Sequence, residues 1–400
     1  MTRLHFRFGI SLCVAAALLG STLAPEAIAQ ISDASPQRYS ESTTLDLAPM
    51  ASQAAIDNDG ATTLPSFSLP YSQLASPQSR DAFVAAARRM SAMNAHTTSG
   101  SAAAAAPPLD MIALRRLLAP IVAAQVQAVA TRFPYASERR QMNGVPVEIF
   151  TPASGVARRN QNRILINIHG GGFFLNGGGP GGVIESAPIA HFGHIKVVAI
   201  DYRQAPEASF PAASEDLAAV YRELLKHYRP SNIGIYGCSS GGYITAESVA
   251  WFRHTGLPLP GALGVFCSSL LDNALGDSAY ITPFFTGGVT PRPDTGATLR
   301  APYFGGVRRD DPLAVPAASE ETLAAFPPTL FLTGGRAPEA SAAAYSNILL
   351  RRLGVKSEFL LFDGFGHGFY TQGDTPEAET ALRLIAQFFD ENLGSHTRRR

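Results

Sequence analysis

An excess of charge of either sign is missing from this chain. Its 400 residues carry 32 Lys and Arg against 32 Asp and Glu. No basic face for nucleic acid is therefore expected, and no cationic groove for a polyanionic substrate. Cysteine is scarce. Of three, Cys13 falls in the leader described below, which leaves Cys238 and Cys267. They read as two buried free thiols. A Cys238–Cys267 disulfide is the alternative for an exported protein, and it would need close Cα approach. Beyond the leader there is no apolar run long enough to cross a bilayer, so no stable membrane insertion is expected. No internal repeat is visible. His, Cys and Asp do not cluster at metal-ligand spacing, so neither a metal nor a cofactor is expected.

What is present begins with that leader. Arg3 and Arg7 precede a short apolar run over 9–20, and Ala27-Ile28-Ala29 forms a small-residue cleavage site. A signal peptide over 1–29 follows, with Gln30 as the mature start and a periplasmic or secreted location. Residues 30–140 read as a polar arm followed by helical patterns at 79–94 and 109–130, the second broken at Pro120. An Ala/Ser/Pro linker over 97–108 separates them. This stretch is either a helical cap over a site built later in the chain or an inert extension. At Val145 the texture changes. An alternating strand pattern at 145–150 and apolar strand patterns at 163–168, 196–200, 233–236, 262–266, 329–333 and 357–362 alternate with helical ones at 185–194, 212–227, 243–254, 340–353 and 376–393. The hydrophobic content, 46%, suffices for a large core. The fold class predicted over 141–396 is α/β, a mostly parallel central sheet covered by helices on both faces.

Three stretches carry chemistry. The first is Gly237-Cys238-Ser239-Ser240-Gly241-Gly242, between a strand and a helix pattern. A Gly-x-Ser-x-Gly corner there lifts the serine above the sheet, at the positive end of the next helix. The second is His169-Gly170-Gly171-Gly172-Phe173, after a buried strand. Consecutive glycines leave backbone N–H groups uncovered, as a developing oxyanion requires. A flexible glycine loop is the alternative; a phosphate loop fits poorly, because no Lys-Ser/Thr follows. The third runs Asp201-Tyr202-Arg203-Gln204-Ala205-Pro206-Glu207, then Phe210-Pro211-Ala212-Ala213 and Glu215-Asp216.

Together these stretches resemble the hormone-sensitive-lipase-like family of α/β-hydrolases, the bacterial family IV esterases, over about 250 residues from 145 to 393. The resemblance implies an α/β-hydrolase fold with an N-terminal helical cap. It implies a serine carboxylesterase whose substrate is a small-molecule ester, with a short acyl chain. Ser239 would be the nucleophile. His367, within Asp363-Gly364-Phe365-Gly366-His367-Gly368-Phe369, would be the base. Gly171, Gly172 and Ser240 would supply the oxyanion donors. Arg203, Glu207 and Asp216 are expected to serve as ion pairs and caps, His169 to order the glycine loop, and Cys238 to pack away from the pocket.

The acid departs from the family pattern. In Thr333-Gly334-Gly335-Arg336-Ala337-Pro338-Glu339, Ala337 stands where the family usually has Asp. Glu339, two residues on, has the longer side chain needed to reach His367. Asp272, after the preceding strand, is the alternative acid, and a dyad without an acid is the third option. Ala337 also keeps open a different class, a binding or regulatory protein on a hydrolase scaffold. Amidase or peptidase chemistry is a further reading. Oligomeric state stays open.

Overall fold

The computed structural model describes residues 55–56, 58, 62–64, 66, 68–97, 111–271, 276–286, 302–372 and 374–394. The leader falls outside them. The chain divides into two compact units, with the division between Leu69 and Pro70. In the first, β1 (Ala55–Ile56) and β2 (Thr62–Thr63) form a short antiparallel ladder.

The second unit is built on eight strands: β3 (Tyr135–Met142), β4 (Val145–Pro152), β5 (Ile164–Ile168), β6 (Lys196–Ile200), β7 (Ile233–Cys238), β8 (Ala262–Phe266), β9 (Thr329–Gly334) and β10 (Ser357–Phe362). Their order across the sheet is β10-β9-β8-β7-β5-β6-β4-β3. The pairs β3–β4 and β4–β6 are antiparallel, and all other neighbours run parallel. Parallel strands are buried on both faces, so they read as unbroken apolar runs. The Ile-Leu-Ile-Asn-Ile of β5 is buried at every position.

Ten helices accompany the sheet among the described residues: α1 (Pro77–Thr97), α2 (Met111–Arg132), α3 (Pro180–Gly193), α4 (Ala212–Leu224), α5 (Ser240–His254), α6 (Asp277–Ile281), α7 (Pro283–Thr286), α8 (Glu320–Ala324), α9 (Ala340–Arg352) and α10 (Pro376–Asn392). Strand residues alternate between two cores. Ile166, Val198, Ile235 and Val265 join Leu217 and Tyr221 of α4 and Ile244 and Phe252 of α5. Leu165, Val197, Tyr236 and Phe266 join Val183 and Ile189 of α3 and Leu382, Ile385 and Phe389 of α10. A one-residue slip of β5 would exchange these sets, so the register is fixed by burial. Thr375 caps α10 by accepting from Ala378 N–H at 3.3 Å, with Pro376 next in the chain. A cap of this kind is worth about 1 kcal/mol.

Four local expectations change. No membrane-length apolar run was expected beyond the leader, yet α2 is by length and composition apolar enough to cross a membrane. The helix α2 runs unbroken through Pro120, because proline deletes a single hydrogen bond while packing against α3 holds the flanking turns. The start of α3 is Pro180, five residues ahead of the apolar pattern; Gly181 and Gly182 in its first turn are weak helix formers. The strand β3 was not foreseen. Only its Met142 is buried, and an exposed polar edge strand carries no apolar alternation.

Candidate active site

The carboxyl ends of β5, β7, β8, β9 and β10 lie side by side, and every chemistry-bearing loop leaves from one of them. This is the edge where parallel α/β sheets place their ligands. At the end of β7, Ser239 takes φ 59° and ψ −124°, a strained conformation for a residue other than glycine. The surroundings hold it there. Its N–H donates to Phe266 O at 2.9 Å, and its carbonyl accepts from Tyr243 N–H at 3.0 Å as α5 begins. A Cβ on Gly241 would stand 1.8 Å from Ile168 O, so only glycine lets α5 start against the end of β5. Ser239 thus sits at the positive end of α5.

The glycine loop leaves β5 beside it. Gly171 (φ 131°) and Gly172 (φ 62°) both lie in the left-handed half of backbone space. The Gly171 carbonyl closes the turn by accepting from Leu175 N–H at 2.8 Å. Among the described residues, the N–H groups of Gly171 and Gly172 meet no acceptor. Ser240 lies in the first turn of α5, where N–H groups have no intrahelical acceptor. A Cβ on Gly170 would come within 3.3 Å of Ser239 Cβ, so the loop and the elbow touch.

A residue absent from the sequence-based assignment joins them. Glu185 of α3 is buried beneath both. Its Oε1 accepts from Gly170 N–H at 2.6 Å, and its Oε2 accepts from Asn167 Nδ2 at 3.1 Å and Cys238 N–H at 3.2 Å. Burial raises its pKa to about 7, although these three donors pull the other way. One carboxyl group therefore bridges the glycine loop and the end of β7. The signal in the sequence was faint: one acidic residue in an otherwise apolar and small stretch, Gly181 to Ala190.

After β10, His367 faces Glu339 from the loop after β9. His367 Nδ1 lies 3.0 Å from Glu339 Oε2. The approach is close but not aligned as a hydrogen bond; such pairs tighten when substrate binds. Glu339 is 1% exposed, and 40% of the His367 side chain is open to solvent. Glu339 Oε1 accepts from Thr333 Oγ1 at 2.5 Å, which fixes the carboxylate. Glu339 also occupies the N-cap of α9, where the helix dipole favours an anion. Burial pulls the His367 pKa down, but the Glu339 carboxylate outweighs it and raises it to about 9. Burial raises the Glu339 pKa, and His367 and Thr333 together bring it below the usual carboxylate value. Ala337 is fully buried and carries no polar group.

A model of the α/β-hydrolase fold matches residues 165–371, over half of the chain. The chain belongs to the α/β-hydrolase fold family. An acetyl-hydrolase of Streptomyces hygroscopicus is 30% identical over 177 residues, 44% of this chain and 58% of that protein. Among curated relatives, the first two matches span about half their length, 49% and 58%. Crystal structures of two esterases align more fully. One is 27% identical, covers 83% of this chain and 98% of its own, and has a TM-score of 0.66. The other, from the bacterial hormone-sensitive lipase family, is 25% identical, covers 80% and 99%, and scores 0.63.

In this α/β-hydrolase the remaining expected residues take these places. Asp272 lies outside the described residues. Arg203 pairs with Asp216 and Glu215, each at 2.8 Å, and Glu207 pairs with Arg115 of α2 at 2.6 Å. His169 is buried, its ring stacked on Tyr202 at 4.6 Å and its Nδ1 2.8 Å from Gly170 O. Cys238 and Cys267 are both free and buried. Cys238 belongs to the same buried core as Tyr236 and Phe266. The adjoining Cys267 thiol and burial push its own thiol pKa well up.

Proposed function

We propose that this protein hydrolyses carboxylic esters of small molecules, with short acyl chains preferred, through an acyl-enzyme on Ser239. The observation that carries this reading is the Glu339 carboxylate 3.0 Å from His367 Nδ1. It supplies what Ala337 lacks, so the one motive for a non-catalytic binding protein loses its force. Glu339 holds the imidazole with its Nδ1 protonated, which leaves Nε2 free to take the Ser239 proton. Ser239 Oγ attacks the ester carbonyl, and the N–H groups of Gly171, Gly172 and Ser240 receive the oxyanion. The protonated imidazole then gives its proton to the departing alcohol. Water, deprotonated by His367, releases the acid and frees the serine.

In this reading α1 and α2 serve as the cap. Support comes from their anchors. Arg115 donates to the Phe174 and Ala205 carbonyls beside the glycine loop. The Arg336 guanidinium, near Glu339, lies over Tyr71 and Phe83 at 5.2 and 5.4 Å. Export belongs to the same reading, on the strength of the leader at 1–29. An exported chain whose mass begins at Gln30 is the expected result; retention of residues 1–29 would count against it.

A fluorophosphonate probe tests the chemistry. It should label the wild type at Ser239 and leave Ser239→Ala unlabelled. Failure to label folded protein sinks the hydrolase reading. Matched ester and amide substrates separate the esterase from an amidase, with faster amide turnover deciding against the ester.

A further inference from the structure

The carboxyl ends of β8, β9 and β10 bring a third donor to the histidine and its acid. Cys267, one residue past β8, is fully buried. One ligand atom each from Cys267, Glu339 and His367 lie within 4.8 Å of one another. This is the one such group of three among the described residues. The residues are 72 and 28 positions apart in sequence, too distant for a ligand spacing to show.

We propose that Cys267, Glu339 and His367 form a binding site for a soft divalent cation, Zn²⁺ or Cd²⁺, whose occupancy switches the hydrolase off. Thiolate, imidazole and carboxylate are the donors that such ions take, three from protein with water as the fourth. Bond lengths of ~2.0–2.3 Å at tetrahedral angles separate ligand atoms by roughly 3.3–3.6 Å. The 3.0 Å between His367 Nδ1 and Glu339 Oε2 already approaches that span, and the Cys267 sulfur lies within 4.8 Å of a ligand atom of each, a gap that the ion closes by drawing the sulfur in. The open edge of His367 gives the ion an entry. Binding through Nδ1 sends to water the Cys267 thiol proton and, below about pH 9 where His367 is doubly protonated, the Nδ1 proton as well; Nε2 keeps the remaining proton, and no atom changes oxidation state. Inhibition, which rests on the function proposed above, follows directly. An imidazole bound to a dication through Nδ1 has no affinity left for the Ser239 proton, and Glu339 no longer steadies it.

Cd²⁺ is the probe, because its thiolate bond absorbs in the ultraviolet. Titration of the whole chain should give one equivalent of that band, retained in Cys238→Ser and lost in Cys267→Ser. Hydrolysis of a chromogenic ester should fall in step and recover on adding EDTA. Measured against its own metal-free turnover, Cys267→Ser should need on the order of 100-fold more Cd²⁺ for inhibition, since even an outer-shell partner can be worth 10–100-fold in metal affinity. Cys267→Ala repeats the test should the serine variant fold poorly, and EDTA reversal in the wild type needs no variant. An absent band, or inhibition unchanged in both Cys267 variants, overturns the site. A Cys267-dependent band in a chain that turns over no ester upholds the site and removes the hydrolase reading instead.

Discussion

His367 stands between two opposed influences, burial and the Glu339 carboxylate, and the carboxylate prevails, holding its pKa at about 9. A general base acts only when neutral, so kcat/KM should climb with pH through that value. In Glu339→Gln the raising partner is gone and burial remains. The acid limb should then move down from about 9, with Cys267 and Glu185 still opposing burial, while the plateau drops roughly 10⁴-fold. A pH–rate profile of both proteins reads the two effects at once. If Asp272 were the acid, Glu339→Gln would leave limb and plateau in place and Asp272→Asn would cost the activity. At this scale Ser239 and His367 were legible as candidates, because each sits in a short glycine-flanked motif whose chemistry dictates its neighbours. Glu339 was legible only as one of three options. The choice depends on how the backbone passes Pro338 into α9, which no spacing rule encodes. Glu185 was invisible, since its partners at 167, 170 and 238 meet it only in three dimensions.

Between single residues and the whole lies the packing of α3 across the ends of β5 and β7. The strands themselves were readable as apolar runs, and the alternation of strands with helices gave the parallel sheet. The short start of α3 was hidden by Pro180, Gly181 and Gly182, and that first turn helps to bring Glu185 under both loops. Because Glu185 accepts from Gly170 and Cys238 N–H groups, it sets the glycine loop against the elbow. Glu185→Gln keeps the shape but must turn an NH₂ toward one of these donors. The glycine loop should shift relative to Ser239 and weaken the oxyanion contacts. Loss of a complete oxyanion donor costs about 10²–10³ in kcat, so a partial loss of about 10–100-fold in kcat is expected, with KM little changed. Steady-state kinetics and the fluorophosphonate labelling rate should fall together. A raised KM at constant kcat would mean that Glu185 supports substrate binding and not the oxyanion geometry.

For the molecule as a whole, formal net charge is zero at pH 7, so global self-repulsion is small there and the shifted titratable groups at the sheet edge govern stability against pH. Three of them set the sign. Glu185 titrates at about 7 in the fold and at 4.5 when unfolded. Between those values the folded chain keeps a proton that the unfolded chain releases, so stability declines as pH rises through 7. His367, raised from 6.5 to about 9, contributes stability that is complete below 6.5 and lost as pH rises through 9. Glu339 is lowered, so its contribution holds above 4.5 and is lost as pH falls through its folded value. All three place the greatest stability near about pH 5. Thermal melts from pH 4.5 to 9 should show Tm falling steadily while ester turnover rises over the same range. Glu185→Gln should flatten the lower half of that fall and Glu339→Gln the upper half. A Tm that rises toward pH 9 would show that neither buried group carries its proton into the fold. The opposition of the two curves follows from one cause. The Glu339 contact that stabilises protonated His367 also keeps the base from its neutral working form, so conditions that activate the site remove part of what holds it together.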